Sequence, residues 1–324
     1  MKSEAEIRES IKEEMARLNV ALSDSLKSDN SLLKSVTDYF LEAKGKQIRP
    51  MLVILSSKLF GQISRATLDA AVAVELLHSA SLIHDDVVDE SPARRGRRSV
   101  NSIWDNRVSV LVGDYFVSCA LKAAIATGDT SIINIIAELG KELARGEIDQ
   151  IETADSHTID EERYFNVINQ KTASLFSSCM KMGAISNGAS EREVEILSTF
   201  GEKLGLCFQI KDDIFDYFTN EKLGKPTGSD LAEGKVSLPL IYAIRTGNDR
   251  ENSDMRALLS KERLTQGEIA TLIEYAKKMG GIEYAEETMK RLEAEAIAEL
   301  APFGKNEITD SLINILHYIT VRNY

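Results

Sequence analysis

The sequence predicts an all-α protein, and three observations carry that prediction. Apolar residues recur at three- and four-residue spacing over long runs, strand-like alternation bounded by turn residues is missing, and all five prolines stand at breaks. From Asp69 to Asp86 the apolar positions are Ala70, Val72, Ala73, Leu76, Leu77, Ala80 and Ile83. Similar patterns run through 108–125, 132–148, 161–182, 194–218 and 269–300. Pro50 and Pro239 each open an apolar run, where a missing N–H costs little. Pro92 and Pro226 lie in the polar, glycine-bearing stretches 91–99 and 221–235, which predict loops. Several runs are apolar enough to be buried on more than one face. No low-complexity linker divides the chain, so one domain is expected over 1–324, with its core from about 33 to 322.

Composition narrows the class. The 324 residues are 43% apolar and 28% charged, which sets aside disordered, collagen-like and purely coiled-coil chains. No run of 18 apolar residues occurs, and the N-terminus is charged without an apolar signal region. Cys119, Cys179 and Cys207 are far apart in apolar surroundings, so they predict buried free thiols in a reducing, cytoplasmic setting. A net charge of −12 argues against a nucleic-acid surface and makes any basic cluster a local device.

Two acidic clusters stand out. Ile83-His84-Asp85-Asp86-Val87-Val88-Asp89 is echoed by Ile210-Lys211-Asp212-Asp213-Ile214-Phe215-Asp216, each ending a long apolar run. On a helix, residues four apart share a face, so Asp85 pairs with Asp89 and Asp212 with Asp216. Carboxylates stacked in this way repel unless a cation lies between them. Hard oxygen donors with open positions suit Mg²⁺, which keeps waters and takes phosphate oxygens. With 20 aspartates in the chain, the pattern should arise by chance about 0.08 times, and here it occurs twice. Acidic residues also prefer helix N-termini to the C-terminal ends seen here.

Cations flank both clusters. Arg94, Arg95, Arg97 and Arg98 follow the first, and arginine forks grip phosphate oxygens bidentately. Lys46 and Arg49 stand just before a helix start, where backbone N–H groups also favour anions. Lys225 and Lys235 flank the Gly/Pro loop after the second cluster. His78 is seven residues before Asp85, nearly on the same face, whereas His84, His157 and His317 carry no functional signal. The residues alone therefore describe a helical cavity with two aspartate clusters for Mg²⁺ and two cation sets for phosphate groups.

The ordered motifs Gly45-Lys46-x-x-Arg49-Pro50, His78, Asp85-Asp86-x-x-Asp89, Arg94-Arg95-Gly96, Gly113-Asp114, Lys171-Thr172, Gln209-x-x-Asp212-Asp213-x-x-Asp216 and Gly224-Lys225 through Asp230 to Lys235 complete the picture. From about Leu33 to the C-terminus the chain resembles the trans-isoprenyl diphosphate synthases, the polyprenyl synthetase family. That resemblance implies an all-α fold around a central cavity, a homodimer, and head-to-tail condensation of isopentenyl diphosphate with an allylic diphosphate. It assigns Lys46, Arg49, His78 and Arg95 to isopentenyl diphosphate. Arg94, Lys171, Thr172, Gln209, Lys225 and Lys235 match the positions around the allylic diphosphate. Asp85, Asp89, Asp212 and Asp216 match the Mg²⁺ ligands, supported by Asp86 and Asp213. Many relatives end in two basic residues that close over isopentenyl diphosphate; here only Arg322 is present to serve.

Product length is read along the first aspartate helix, since one isoprene unit is about one helical turn long, roughly 5 Å. Short-product relatives tend to carry an aromatic residue four or five positions before Asp85, where this chain has the small Ser81 and Ala80. Leu77 comes one turn deeper, and Phe116 is a candidate floor. The expectation is a long product, around octaprenyl. The alternatives are a short-chain geranylgeranyl or farnesyl diphosphate synthase, or a regulatory subunit of a heterodimer, although such subunits usually lose one aspartate motif.

Overall fold

A computed structural model describes residues 4–42, 45–94, 96–155, 159–218, 227–261 and 263–322. The predicted all-α class is what the structure shows. Among the described residues the only strands are a two-residue antiparallel pair, Ala93–Arg94 with Arg97–Arg98, turned at Gly96 with φ +74°. The stretch 91–99, predicted as a loop, is thus a minimal hairpin. The backbone forms two compact units: 1–141 with 175–201 and 299–315, and 142–174 with 202–298 and 316–324.

The first unit is built on the helix Arg65–Val88. Its start is set by a reciprocal cap, with the Ser64 side chain accepting from the Thr67 N–H and Thr67 Oγ1 accepting from the Ser64 N–H. Leu68 through Val74 are buried without a break, so this helix has no solvent face over two turns. It packs on Asn106–Ala126, Ile48–Lys58 and Lys12–Ser25. Each fully buried Leu, Ile or Val here contributes about 1.5–3 kcal/mol. Polar side chains in this core are satisfied: Ser56 donates to the Met180 carbonyl at 2.6 Å, and Ser57 lies 2.9 Å from Thr67. Among the described residues two helices, Arg65–Val88 and Asn106–Ala126, are long and apolar enough to cross a membrane by length and composition. The first is a core helix, with 78% of its apolar window buried.

The second unit centres on Leu238–Thr246, which packs against Gln266–Lys278 and Glu161–Ile168. Pro239 stands in the first turn of its helix, as predicted. The run 269–300 is not one helix but two, Gln266–Lys278 and Gly281–Glu299. Gly280 adopts φ +77° between them, and a Cβ on Gly281 would sit 2.1 Å from the Pro239 carbonyl oxygen. The run 161–182 is likewise interrupted, by a π-helical turn at Asn169–Ala173. All three cysteines are buried and free. Desolvation raises each thiol, that of Cys207 to about 12, so these thiols are inert packing groups.

Candidate active site

Both aspartate clusters terminate long helices in the same manner. In the first unit Asp85 and Asp86 occupy the last turn of Arg65–Val88, and Asp89 is its C-cap. The three side chains differ in environment. Asp89 is exposed and Asp85 half-buried, while Asp86 is 3% exposed and paired with Arg94, whose Nε donates to Oδ1 at 2.7 Å. Burial pushes the Asp86 carboxyl up, and the Arg94 guanidinium pulls it back. The Asp86 carbonyl accepts from Ser91 N–H and Asn101 Nδ2, which pins the hairpin to the helix end. Arg94 is therefore placed on Asp86; its neighbour Arg95 falls outside the described residues.

Gly113 and Asp114 also gain a physical role. A Cβ on Gly113 would fall 2.1 Å from His84 Nε2, so glycine alone lets the imidazole lie across that helix. His84 Nε2 is 3.2 Å from the Val110 carbonyl and 3.5 Å from Asp114 Oδ1. Sequence spacing carried no signal for this contact.

His78, Gly45 and Gln47 line one small cavity together with Glu75, Ser79, Phe40 and Phe116. Gln47 caps the Ile48–Lys58 helix in the left-handed region at φ 46°, and Lys46 is exposed immediately before it. The Arg49 guanidinium stacks on Phe176, 5.1 Å from the ring centre. Among the chain-length candidates, Phe116 is buried edge-on to Phe40 and lines this cavity. Ala80 and Leu77 are buried but do not line it. Ser81 donates to the His78 carbonyl.

In the second unit Asp212 and Asp213 end the helix Glu191–Phe215, with Asp216 one residue beyond. Asp212 Oδ1 accepts from the Arg322 guanidinium, which also reaches the Phe208 carbonyl and stacks on Phe208 and Phe215. Asp216 is engaged as a cap: Oδ1 accepts from Ser229 N–H and Oγ, and Oδ2 from Asp230 N–H. Asp213 is fully buried. Tyr164 donates to its Oδ2 at 2.5 Å and Gln209 Nε2 to its Oδ1 at 2.8 Å. Desolvation, reinforced by Asp230, pushes the Asp213 carboxyl up to about 8.

Beside Asp213 lies a cavity of about 180 Å³. Its lining includes Lys171, Thr172, Gln209 and Lys235, four residues assigned from sequence to one substrate, together with Tyr164 and Asp230. Lys171 Nζ is 2.5 Å from Glu147 and 3.0 Å from Gln150, and Lys235 Nζ is 2.5 Å from Glu233. These carboxylates hold two ammonium groups at the cavity. Lys225 lies outside the described residues.

A model of the polyprenyl synthetase family matches residues 30–276. The chain belongs to that family. Octaprenyl diphosphate synthase from Haemophilus influenzae is 34% identical over 324 residues, spanning 98% of this chain and 97% of that protein. Among solved structures, polyprenyl synthase from Caulobacter crescentus complexed with calcium and isoprenyl diphosphate superposes with TM-score 0.92 at 30% identity, covering 99% of this chain and 98% of that one. Geranylgeranyl pyrophosphate synthase from Bacteroides thetaiotaomicron is 39% identical with TM-score 0.85, covering 98% of each chain. The all-α architecture of the chain is thus the fold of this family.

Proposed function

We propose that the protein is a long-chain trans-polyprenyl diphosphate synthase, with a product around octaprenyl diphosphate. It is a prenyltransferase that joins isopentenyl diphosphate head-to-tail to an allylic diphosphate. The observation that carries the reading is the convergence of Lys171, Thr172, Gln209 and Lys235 on one cavity beside Asp213, in a chain of this family. The family match runs through residues of both compact units, which supports reading 1–324 as one catalytic domain.

Asp85, Asp89, Asp212 and Asp216 are the proposed Mg²⁺ ligands. The donor set fits a hard cation: Asp85 and Asp89 are accessible carboxylates, and Asp212 already holds a cationic group. Among the described residues no three such groups form a closed cage, and Mg²⁺ is held by one or two carboxylates plus substrate phosphates. When bound, the metal neutralises charge on the departing diphosphate. Lys171 and Lys235 supply fixed positive charge to the allylic diphosphate, so that its C–O bond breaks to an allylic cation. Lys46, Arg49 and His78 hold isopentenyl diphosphate, with Arg95 completing that set. Its C4 attacks the cation, and loss of a proton, taken by the departing diphosphate, restores the double bond. Buried apolar helices keep water from the cation.

A homodimer is proposed as the working state. The support is an exposed apolar stripe on Asn106–Ala126, where Val110, Leu111, Leu121 and Ile125 are 42%, 68%, 40% and 62% exposed. The likeness to a geranylgeranyl pyrophosphate synthase favours a short-chain product as the second reading. One assay separates the two: purified protein, Mg²⁺, farnesyl diphosphate and labelled isopentenyl diphosphate, with products sized by chromatography. Chains near octaprenyl support the proposal, a stop at geranylgeranyl selects the second reading, and no extension overturns both.

A further inference from the structure

Tyr164 has no place in the family motifs read from the sequence, yet it is among the most committed polar groups in the second unit. It is buried, and its hydroxyl lies 2.5 Å from Asp213 Oδ2. Asp213 in turn accepts from Gln209 Nε2 at 2.8 Å, and Gln209 Oε1 accepts from Thr172 Oγ1 at 2.8 Å. The four side chains form one run of hydrogen bonds that converges on Asp213 from Tyr164 on one side and from Thr172 through Gln209 on the other, using both Asp213 oxygens and both ends of the Gln209 amide. This run joins the helix Glu161–Ile168, the helix Glu191–Phe215 and the π-turn Asn169–Ala173.

The π-turn stands at one end of this run. A π-turn is a rare departure from the α-helix, seen mostly as a single turn and often at functional sites. It carries Lys171 and Thr172, and it is backed by Gly146, where a Cβ would fall 2.9 Å from the Lys171 amide nitrogen and 3.1 Å from Gln170 Cβ. Gly146 leaves room for the turn, and the hydrogen-bond chain fixes its cavity side.

We propose that Tyr164 is a positioning residue for the diphosphate-binding face of this cavity. By anchoring Asp213 it sets the amide orientation of Gln209, and through Gln209 it holds the Thr172 hydroxyl and the π-turn that presents Lys171. Tyr164 acts through these residues and does not touch the substrate. The inference rests on the proposed reading of Lys171, Thr172 and Gln209 as the allylic diphosphate set.

The test is steady-state kinetics of Tyr164→Phe, Thr172→Val and the double variant, with KM measured separately for farnesyl diphosphate and isopentenyl diphosphate. Tyr164→Phe should raise the farnesyl diphosphate KM about tenfold and leave the isopentenyl diphosphate KM within about twofold. Because the two side chains belong to one network, Thr172→Val should cost less when added to Tyr164→Phe than when made alone. Equal losses for both substrates, or fully additive effects, would overturn the positioning role. If Tyr164→Phe fails to fold, Gly146→Ala, which crowds the same turn from behind, should give the same selective rise in KM; a uniform loss there overturns the proposal. Failure of the underlying reading looks different: Lys171→Ala and Gln209→Ala would leave the farnesyl diphosphate KM of an active enzyme unchanged, and both ideas would fall.

Discussion

The guanidinium of Arg322 donates to Asp212 although 110 residues separate them, and it does so while stacked on Phe208 and Phe215. Arg322, the one basic residue near the C-terminus that the resemblance leaves to serve isopentenyl diphosphate, rests on a carboxylate of the second aspartate cluster. Asp212 thus has a protein cation for company, whereas Asp89 in the first cluster faces solvent.

Asp85→Ala and Asp212→Ala should each lower turnover by orders of magnitude, since each removes a proposed metal ligand acting on the transition state. Asp212→Ala also leaves a mostly buried guanidinium without its carboxylate, which costs about 1–3 kcal/mol and several degrees in Tm. Calorimetric Tm beside kcat checks both; near-wild-type rates at saturating Mg²⁺ would remove the metal assignment.

Lys46→Ala and Lys235→Ala should divide by substrate. Lys46→Ala raises the KM for isopentenyl diphosphate and Lys235→Ala that for the allylic diphosphate, each about ten- to a hundredfold, the scale of a hydrogen bond to a charged group. Arg94→Ala carries a further stability loss of about 1–3 kcal/mol, because it strips Asp86 of its partner. A shift of the same KM by both lysine variants would refute the two-set division.

Asp213 gives a pH signature. Its folded pKa, about 8, is above the unfolded value of about 3.9, so the folded state holds the proton more tightly. The stability this contributes is present below about pH 4 and is lost as pH rises through about 8. Without Mg²⁺, the Tm of Asp213→Asn, whose amide keeps only one of the two acceptors, should therefore rise relative to wild type steadily from pH 4 toward pH 8.5. A Tm difference flat across that range would contradict the shift.

Ala80→Tyr or Ser81→Phe should shorten the product to about farnesyl or geranylgeranyl size while condensation continues. A ring there requires repacking of about 1–3 kcal/mol for a longer chain to pass. Leu77→Ala, which only removes bulk, should leave length unchanged or greater. Reverse-phase chromatography of the dephosphorylated products reads the outcome; an unchanged long product from Ala80→Tyr would mean the growing chain follows another face.

Much of this was legible in the sequence for physical reasons. Helix positions follow apolar periodicity, and Asp85–Asp89 and Asp212–Asp216 were visible because two identical spacings at helix ends are improbable. Lys171, Thr172, Gln209 and Lys235 came from motif resemblance, and all four line one cavity. Other features leave no such trace. Asp86 and Asp85 are adjacent and chemically identical, and only packing buries one against Arg94. The break at Gly280 lies within an unbroken apolar pattern, since the pattern reports the buried face and not the backbone dihedral. Tyr164 leaves no trace because its partner Asp213 is 49 residues away and meets it only through tertiary packing.

The π-turn Asn169–Ala173 is equivalent to one residue inserted into a helix. Deleting a single position between Asn169 and Ala173 would restore ordinary winding, and everything before it would swing by about 100° relative to everything after. Tyr164 and Ile168 would then face a different side from Lys171 and Thr172. One codon in this segment therefore separates a side chain buried beside Asp213 from one turned to another face of the helix, and alignments of related chains should treat a gap here as a change of architecture.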